Sequence, residues 1–258
     1  MLHKITASIV TYNNQDVIGE TLSSIFQHTK DVDFTLYVSD NNSTDATVRM
    51  VKEKFPSVIV IENEENRGFG WAHNQVIKQI SDSDYHVIIN PDIRLPSNVF
   101  YELASFMESN SEVVLATPKI INEDGSEQHL PKRLPKLKYL FGGRFERFGK
   151  PFSTWRDEYT RRYEAFDEPE EIQFCTGCFM FARTEALKKV GGFDERYFLY
   201  FEDVDLAREM AFLGKVVFVP QVEVIHLWER ASAKKMKMFL IQIRSMLQFF
   251  MKWSKRKE

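Results

Sequence analysis

The sequence predicts an α/β fold with a mostly parallel central sheet flanked by helices, extended by a C-terminal amphipathic helix. Three observations predict it. Over the first hundred residues, short β-rich runs alternate regularly with segments of helical spacing. The runs are apolar throughout, as strands are when helices cover both faces of a sheet. The chain has 258 residues, 43% of them hydrophobic, enough for one large α/β domain or a domain with an extension.

The elements follow in order. "ITASIVTY" is a strand ending in the turn-prone "NN", and "DVIGETLSSIFQH" is a helix with apolar spacing at Val17, Leu22, Ile25 and Phe26. "FTLYVSD" is a strand, and "STDATVRMVKEKF" a helix with Ser43 or Thr44 as its cap. "SVIVIE", "YHVIIN" and "VVLAT" are strands, separated by the helices "GWAHNQVIKQI" and "SNVFYELASFMES". From 122 to 173 the period is lost in a stretch rich in Pro, Arg and aromatics. It is too long for an inert connection and is read as a substrate-facing loop or flap. Regular structure resumes with the strand "CFMFA", the helix "TEALKKV", an acidic stretch and the strand "KVVFVPQVEVIHL".

Composition excludes several classes. A net charge of -3 gives no pull toward nucleic acid, and none is expected as a partner. The N-terminus turns polar after a short apolar run, so no signal peptide is expected. No apolar segment approaches the roughly 20 residues that cross a bilayer. The two cysteines, Cys175 and Cys178 in "CTGC", are too few for a disulfide framework and lack a second pair for zinc; they are read as packing residues. These features fit a cytoplasmic protein.

In parallel sheets ligands bind where strands end. Thr11, Tyr12, Asn13, Asp40, Asn41, Asn90 and Asp92 stand just after strands. Asp92 suits a hard cation that also grips phosphate oxygens, although "NPD" is also good turn chemistry. The stretch from Gly191 to Met210 holds six acidic side chains, with Glu202, Asp203 and Asp205 pressed against the aromatic run 197–201. One acid can cap a helix, and another can act as a base whose pKa the aromatic wall raises. His226, at the end of an apolar strand, is a further candidate metal ligand.

Seven segments, "SIVTYNN", "VSDNNSTD", "NRGFGWAHN", "NPDIR", "TGCFMFARTEAL", "VGGFDERYFLYFEDVDLARE" and "HLW", resemble in order and spacing the family 2 glycosyltransferases, and within them the bacterial rhamnosyltransferase-like branch. The resemblance covers nearly the whole chain and is weakest over 127–171. It implies a GT-A fold with a Rossmann-like sheet: a glycosyltransferase domain over 1–228, a nucleotide-sugar-binding half at 1–118 and an acceptor-binding half at 119–228, with the helix at 229–258 as an extension.

The resemblance also implies roles. Thr11, Tyr12, Asn13, Asp40 and Asn41 would meet base and ribose. Arg67, Gly68 and Asn74 would lie near donor phosphates and sugar. Asn90 and Asp92 match the DxD motif, with Asn in place of its first acid, and Asp92 with His226 would hold Mn2+ or Mg2+. Asp203 matches the base of the "ED" motif, with Glu202 beside it. Tyr200, Phe201 and Trp228 would form acceptor walls. The implied activity is inverting transfer of a sugar, rhamnose from dTDP-rhamnose or a hexose from a UDP-sugar, to a glycan or lipid-linked acceptor in polysaccharide biosynthesis. A nucleotidyltransferase is disfavoured because "SIVTYNNQDVIGE" lacks a Gly-rich basic loop, and a non-catalytic carbohydrate binder because Asp92, Asp203 and His226 occur together.

The last helix carries Met236, Phe239, Leu240, Ile243, Met246, Leu247, Phe250 and Trp253 on one face, with Lys237, Arg244, Lys252 and Lys255 opposite. It either lies on an anionic membrane surface, which would place the protein peripherally on the inner face of the plasma membrane, or packs on the domain.

Overall fold

The structure, a computed structural model, describes residues 2–129, 131–227 and 236–256. Among them, nine strands form one sheet in the order β3-β2-β1-β4-β8-β6-β9-β5, with β7 pairing β9. The strands are β1 His3–Thr11, β2 Val32–Asp40, β3 Ile59–Glu62, β4 Tyr85–Ile89, β5 Ile93–Arg94, β6 Val113–Ile121, β7 Glu170–Glu171, β8 Phe179–Arg183 and β9 Lys215–His226. The expected mostly parallel sheet is present from β3 to β4. Beyond it, β8 runs antiparallel between β4 and β6, while β6 and β9 are parallel.

Helices cover both faces. Helices α1 Ile18–His28, α2 Thr47–Lys54 and α4 Val99–Ser109 bury Leu22, Val51 and Phe100 against one face. Helices α3 Phe69–Ile77, α7 Thr184–Val190 and α8 Glu202–Met210 place Ile77, Leu187 and Leu206 on the other. Both cysteines are buried and free, Cys175 in the second core and Cys178 in the first, as packing residues should be. Burial pushes the Cys178 thiol up to about 12, far from a reactive thiolate.

The cap expected at Ser43 or Thr44 is not there. Helix α2 begins later, after Ala46. Ser43 instead gives its N–H and hydroxyl to Asp40, at 2.7 and 2.6 Å, and Thr44 N–H goes to Asn13. The nearer carboxylate outcompetes the helix end for these donors. The segment at 122–173, read as a substrate-facing loop or flap, contains a helical pair. Helices α5 Leu137–Phe145 and α6 Phe152–Thr160 stack Tyr139 on Tyr159 at 5.1 Å.

The C-terminal helix α9, Met236–Lys255, packs on the domain along one side. Phe249 and Trp253 are buried with Phe174, Tyr197, Phe201 and Val204, and Met246 and Phe250 pack on this cluster. Each such aromatic contributes about 1.5–3 kcal/mol of hydrophobic stabilisation. Met236, Leu240, Leu247 and Met251 face outward. Lys252 does not lie on a solvated basic face; it pairs with Asp194, Asp205 and Glu209.

Strand β1 is not apolar on both sides. Its Thr6 and Ser8 face α3, where two buried histidines complete a polar network. Ser8 Oγ lies 2.8 Å from His73 Nδ1 and from His86 Nε2, and Thr6 Oγ1 lies 2.8 Å from His86 Nδ1. Burial depresses both histidines, His86 to about 3 and His73 well below its ordinary value. Unfolded histidine titrates near 6.5. Below that pH the unfolded chain binds protons that the folded chain refuses, so stability falls as pH drops from 6.5 toward 3. Denaturant unfolding between pH 7 and 5 should show a loss approaching about 1.4 kcal/mol per pH unit for each histidine. His86→Gln should flatten this slope even if it lowers stability throughout; an unchanged slope would remove His86 as its source.

Candidate active site

The site begins at one turn. Cys178 C=O accepts from Asn90 N–H at 2.9 Å, at the end of β4. One residue earlier, Gly177 N–H donates to Asp203 Oδ2 at 3.1 Å, in the first turn of α8. Phe69, the first residue of α3, lies against Gly177 at 3.4 Å from where a side chain would start. The turn therefore brings together the ends of β4, α3 and α8. The Cys178 thiol feels the charges of Asp92, Lys132 and Asp203 together, which places all three around this turn.

The acids of the first turn of α8 differ in their surroundings. Glu202 is buried, and its Oε2 has no hydrogen-bond partner among the described residues. Desolvation, then the charge of Asp203, pushes its pKa well above the ordinary carboxylate value. Asp203 is half-buried and also raised by desolvation, but N–H groups of Gly177 and Val204 and the charge of Lys132 pull it back down. Asp203 is thus the member of the pair suited to carry the charge. Asp205 caps nothing. It accepts from Trp253 Nε1 at 2.8 Å and Lys252 Nζ at 2.6 Å, and so anchors α9. Tyr200 and Phe201, immediately before, both have positive φ, 69° and 70°. For aromatic residues this costs on the order of 1 kcal/mol or more each, which packing must offset.

Of the expected acceptor walls, Phe201 is used in the core, with its ring 5.5 Å from Phe249; its apolar surface gains more from burial than from facing solvent. Tyr200 packs half-buried at the edge of the same cluster. Trp228 lies outside the described residues.

At the ends of β4 and β9, Asp92 Oδ1 is buried without a hydrogen bond and lies 3.4 Å from His226 Nε2. Gln128 orients the imidazole: its Oε1 accepts from Nδ1 at 3.0 Å, and its Nε2 donates to the His226 carbonyl. The Nε2 lone pair is then directed at Asp92. An orphaned carboxylate oxygen beside an oriented imidazole fits a divalent cation such as Mn2+ or Mg2+ as two of its ligands. The described residues contain no group of three His, Cys, Asp or Glu for a cation, so bound phosphate oxygens or water would have to complete its shell. Asn90 sits at the same strand end, half-buried, its N–H used by the turn.

At the ends of β1 and β2 opens a cleft of about 890 Å³, which shares Phe69 with the turn at Gly177. Tyr12, Asn41, Arg67 and Gly68 line it, as the sequence led one to expect, and Tyr12 is exposed. Thr11 and Asp40 lie beneath it, joined by a 2.6 Å hydrogen bond; the Asp40 oxygens are otherwise occupied by Ser43. Asn13, at φ 56°, shapes the loop by accepting from Thr44 N–H. Asn74 is buried and ties α3 to the loop after α7: it donates to Phe193 C=O and Glu195 and accepts from Phe193 N–H. Gly68, at φ 104°, lets Phe198 C=O reach Phe69 N–H; a Cβ there would lie 2.2 Å from that oxygen. The Arg67 guanidinium lies over the Trp71 ring at 4.9 Å.

Sequence reasoning missed part of this cleft and its surroundings. One wall is α9, through Met238, Ile241, Arg244, Ser245 and Gln248. Gln128 and Lys132, from the segment without period, were also missed. No spacing signals them, because tertiary contacts alone carry them to the site.

A doubly covered α/β sheet with a cleft and a carboxylate pair at its strand ends defines the GT-A class of nucleotide-sugar-binding folds. Residues 6–191 match the profile described as "Glycosyl transferase family 2". The chain belongs to this family. It is 30% identical over 206 residues to an N-acetylglucosaminyl-diphospho-decaprenol L-rhamnosyltransferase of Mycobacterium tuberculosis, a match covering 74% of this chain and 66% of that protein. The chain thus spans just under two thirds of that relative's length. It is 22% identical to rhamnosyltransferase WbbL of Escherichia coli K12, over 84% of this chain and 81% of that one. Among solved structures, it shares its fold with a mannosyltransferase from Pyrobaculum calidifontis in complex with GDP-Man and Mn2+. That match has a TM-score of 0.67 at 17% identity and covers 100% of this chain and 66% of the other.

Proposed function

We propose that this protein is an inverting glycosyltransferase that moves rhamnose from dTDP-rhamnose to a lipid-linked glycan acceptor in polysaccharide biosynthesis. The observation that carries the reading is the turn 175–178, which holds Asp203 and meets the Asp92 strand end, with Phe69 between it and the cleft. Rhamnose as the sugar, and a lipid diphosphate acceptor, rest on the relatives' names. In this reading residues 1–118 hold the donor and 119–228 the acceptor.

Tyr12, Asn41 and Arg67 bind and orient the nucleotide in the cleft. Asp92 and His226 would hold Mn2+ or Mg2+, which supplies positive charge to the leaving diphosphate. The acceptor hydroxyl attacks the anomeric carbon from the side opposite the departing nucleotide, and Asp203 takes its proton. Burial raises the pKa of Glu202, which leaves Asp203, with its backbone N–H donors, the better suited of the two to carry charge.

The outward stripe of α9 supports contact with an anionic membrane surface. Met236, Leu240, Leu247 and Met251 fall within about 60° of one another at 100° per residue. Residues 236–256 hold five Lys or Arg and no acid. No helix among the described residues is long and apolar enough to cross a membrane.

Three outcomes are expected. Asp203→Asn should lower turnover on the order of 10²–10⁴-fold while donor affinity stays near wild type, measured by transfer assay and calorimetry; near-normal turnover would place the base elsewhere. His226→Ala should abolish the gain in dTDP affinity that Mn2+ confers on the wild type, and equal affinity of the wild type in excess chelator would sink the metal reading. Leu240→Ser with Leu247→Ser should weaken co-sedimentation with phosphatidylglycerol vesicles without unfolding the chain, since both side chains are exposed. Truncating α9 would not test this cleanly, because it uncovers Phe249 and Trp253. Wild-type protein that ignores such vesicles would refute membrane contact.

A further inference from the structure

Segment 131–162 is strongly basic, with ten Lys or Arg against three Asp or Glu in a chain of net charge -3. Half of these cations have acidic partners, Arg156 with Glu146 among them. Arg133 pairs with Glu164, Lys138 with Glu158, Arg161 with Glu164 and Glu170, and Arg162 with Glu146 and Asp157. Lys132 differs. Among the described residues it makes no hydrogen bond and no ion pair, although it is half-buried. Its ammonium stands beside two aromatic rings, 6.0 Å from the centre of Tyr159 and 5.7 Å from that of Phe174. Three residues beyond Phe174 is Gly177, whose N–H holds Asp203.

An ammonium in this position is unsatisfied. Burial disfavours its charge, and the Arg156 guanidinium adds to the repulsion. Asp203 attracts it, yet the two make no ion pair: the Asp203 oxygens take backbone N–H groups instead. A half-buried cation near a base, without a hydrogen-bonded anion among the described residues, forms a place for an anion that arrives from outside. The aromatic walls limit water around Lys132 and strengthen its pull on such an anion.

We propose that Lys132 is the anchor for a phosphate oxyanion of a substrate, bound between Tyr159, Phe174 and the Asp203 turn. The inference rests on the sugar-transfer reading for the choice of substrate. Two substrates carry the required chemistry: an acceptor whose sugar is linked to a lipid diphosphate, and the diphosphate of the nucleotide donor. The position supports either source, because Gln128, four residues before Lys132, holds His226, and the charge of Asp203 acts on Lys132.

The test uses the full chain and the variants Lys132→Ala and Lys132→Arg, with equal melting temperatures as the control for folding. Three quantities are measured. They are the affinity for inorganic pyrophosphate, the affinity for dTDP, and KM for a short-chain prenyl-diphosphate glycan against the same glycan as a phosphate-free glycoside. Lys132→Ala should weaken pyrophosphate binding about tenfold or more, as loss of a charged hydrogen-bond donor does, and Lys132→Arg should keep most of it. A rise in KM confined to the diphosphate acceptor assigns the oxyanion to the acceptor. A loss of dTDP affinity, with both acceptors affected alike, assigns it to the donor. Unchanged pyrophosphate binding and unchanged KM values overturn the proposal, as does a variant whose only change is the pH profile of kcat/KM, since Lys132 would then act through Asp203 alone. Pyrophosphate binding does not depend on transfer. A wild type that binds it through Lys132 but transfers no sugar would keep this inference and refute the proposed function.

Discussion

The turn from Cys175 to Cys178 is the constraint on which the site depends. It enters strand β8, which is inserted antiparallel between β4 and β6 and so joins the parallel first part of the sheet to the rest. Because Phe179 pairs with Ile89, the residues just before β8 must meet the residues just after β4. The two buried cysteines fix this turn from both sides of the sheet, one in each core. A substitution that shifted β8 by one residue would exchange the faces of the strand and pull Gly177 from Asp203.

Three neighbouring acids at the start of α8 show how local environment divides one charge cluster. Glu202 Oε2 has no hydrogen-bond partner among the described residues, and burial raises the pKa of its carboxyl. Asp203 receives two backbone N–H groups and remains half-open. Asp205, two residues further along the helix, points to the other side and meets Lys252 and Trp253. The cost of crowding three carboxylates is met differently at each: by a raised pKa, by the amides of a turn and helix end, and by an ion pair. The positive φ of Tyr200 and Phe201 turns the chain sharply into this helix, and the packing of Tyr197 and Phe201 under α9 holds it there.

Helix α9 thereby acquires three surfaces. One is glued to α8 by Asp205 and the aromatic cluster. A second closes one side of the cleft, with Ser245 donating to Leu199 C=O at 2.8 Å. The third is the apolar stripe turned outward.

The sequence by itself determined the layered α/β architecture, because strand runs and helical periods are local patterns that burial enforces. It also determined which residues stand at strand ends, and hence Tyr12, Asn41, Asp92 and His226 as site residues to examine. Where it went astray, local chemistry was ambiguous. Ser43 could cap a helix or serve Asp40, and only the distance to Asp40 decided. Asp205 could cap α8 or bind a partner, and the partner lies 47 residues away in sequence. The aromatic and basic segment held no period, so neither the α5–α6 pair nor the place of Gln128 and Lys132 could be read from it. Tertiary structure decided these points because they depend on which groups approach after long loops close, and the side chains record no spacing for such encounters.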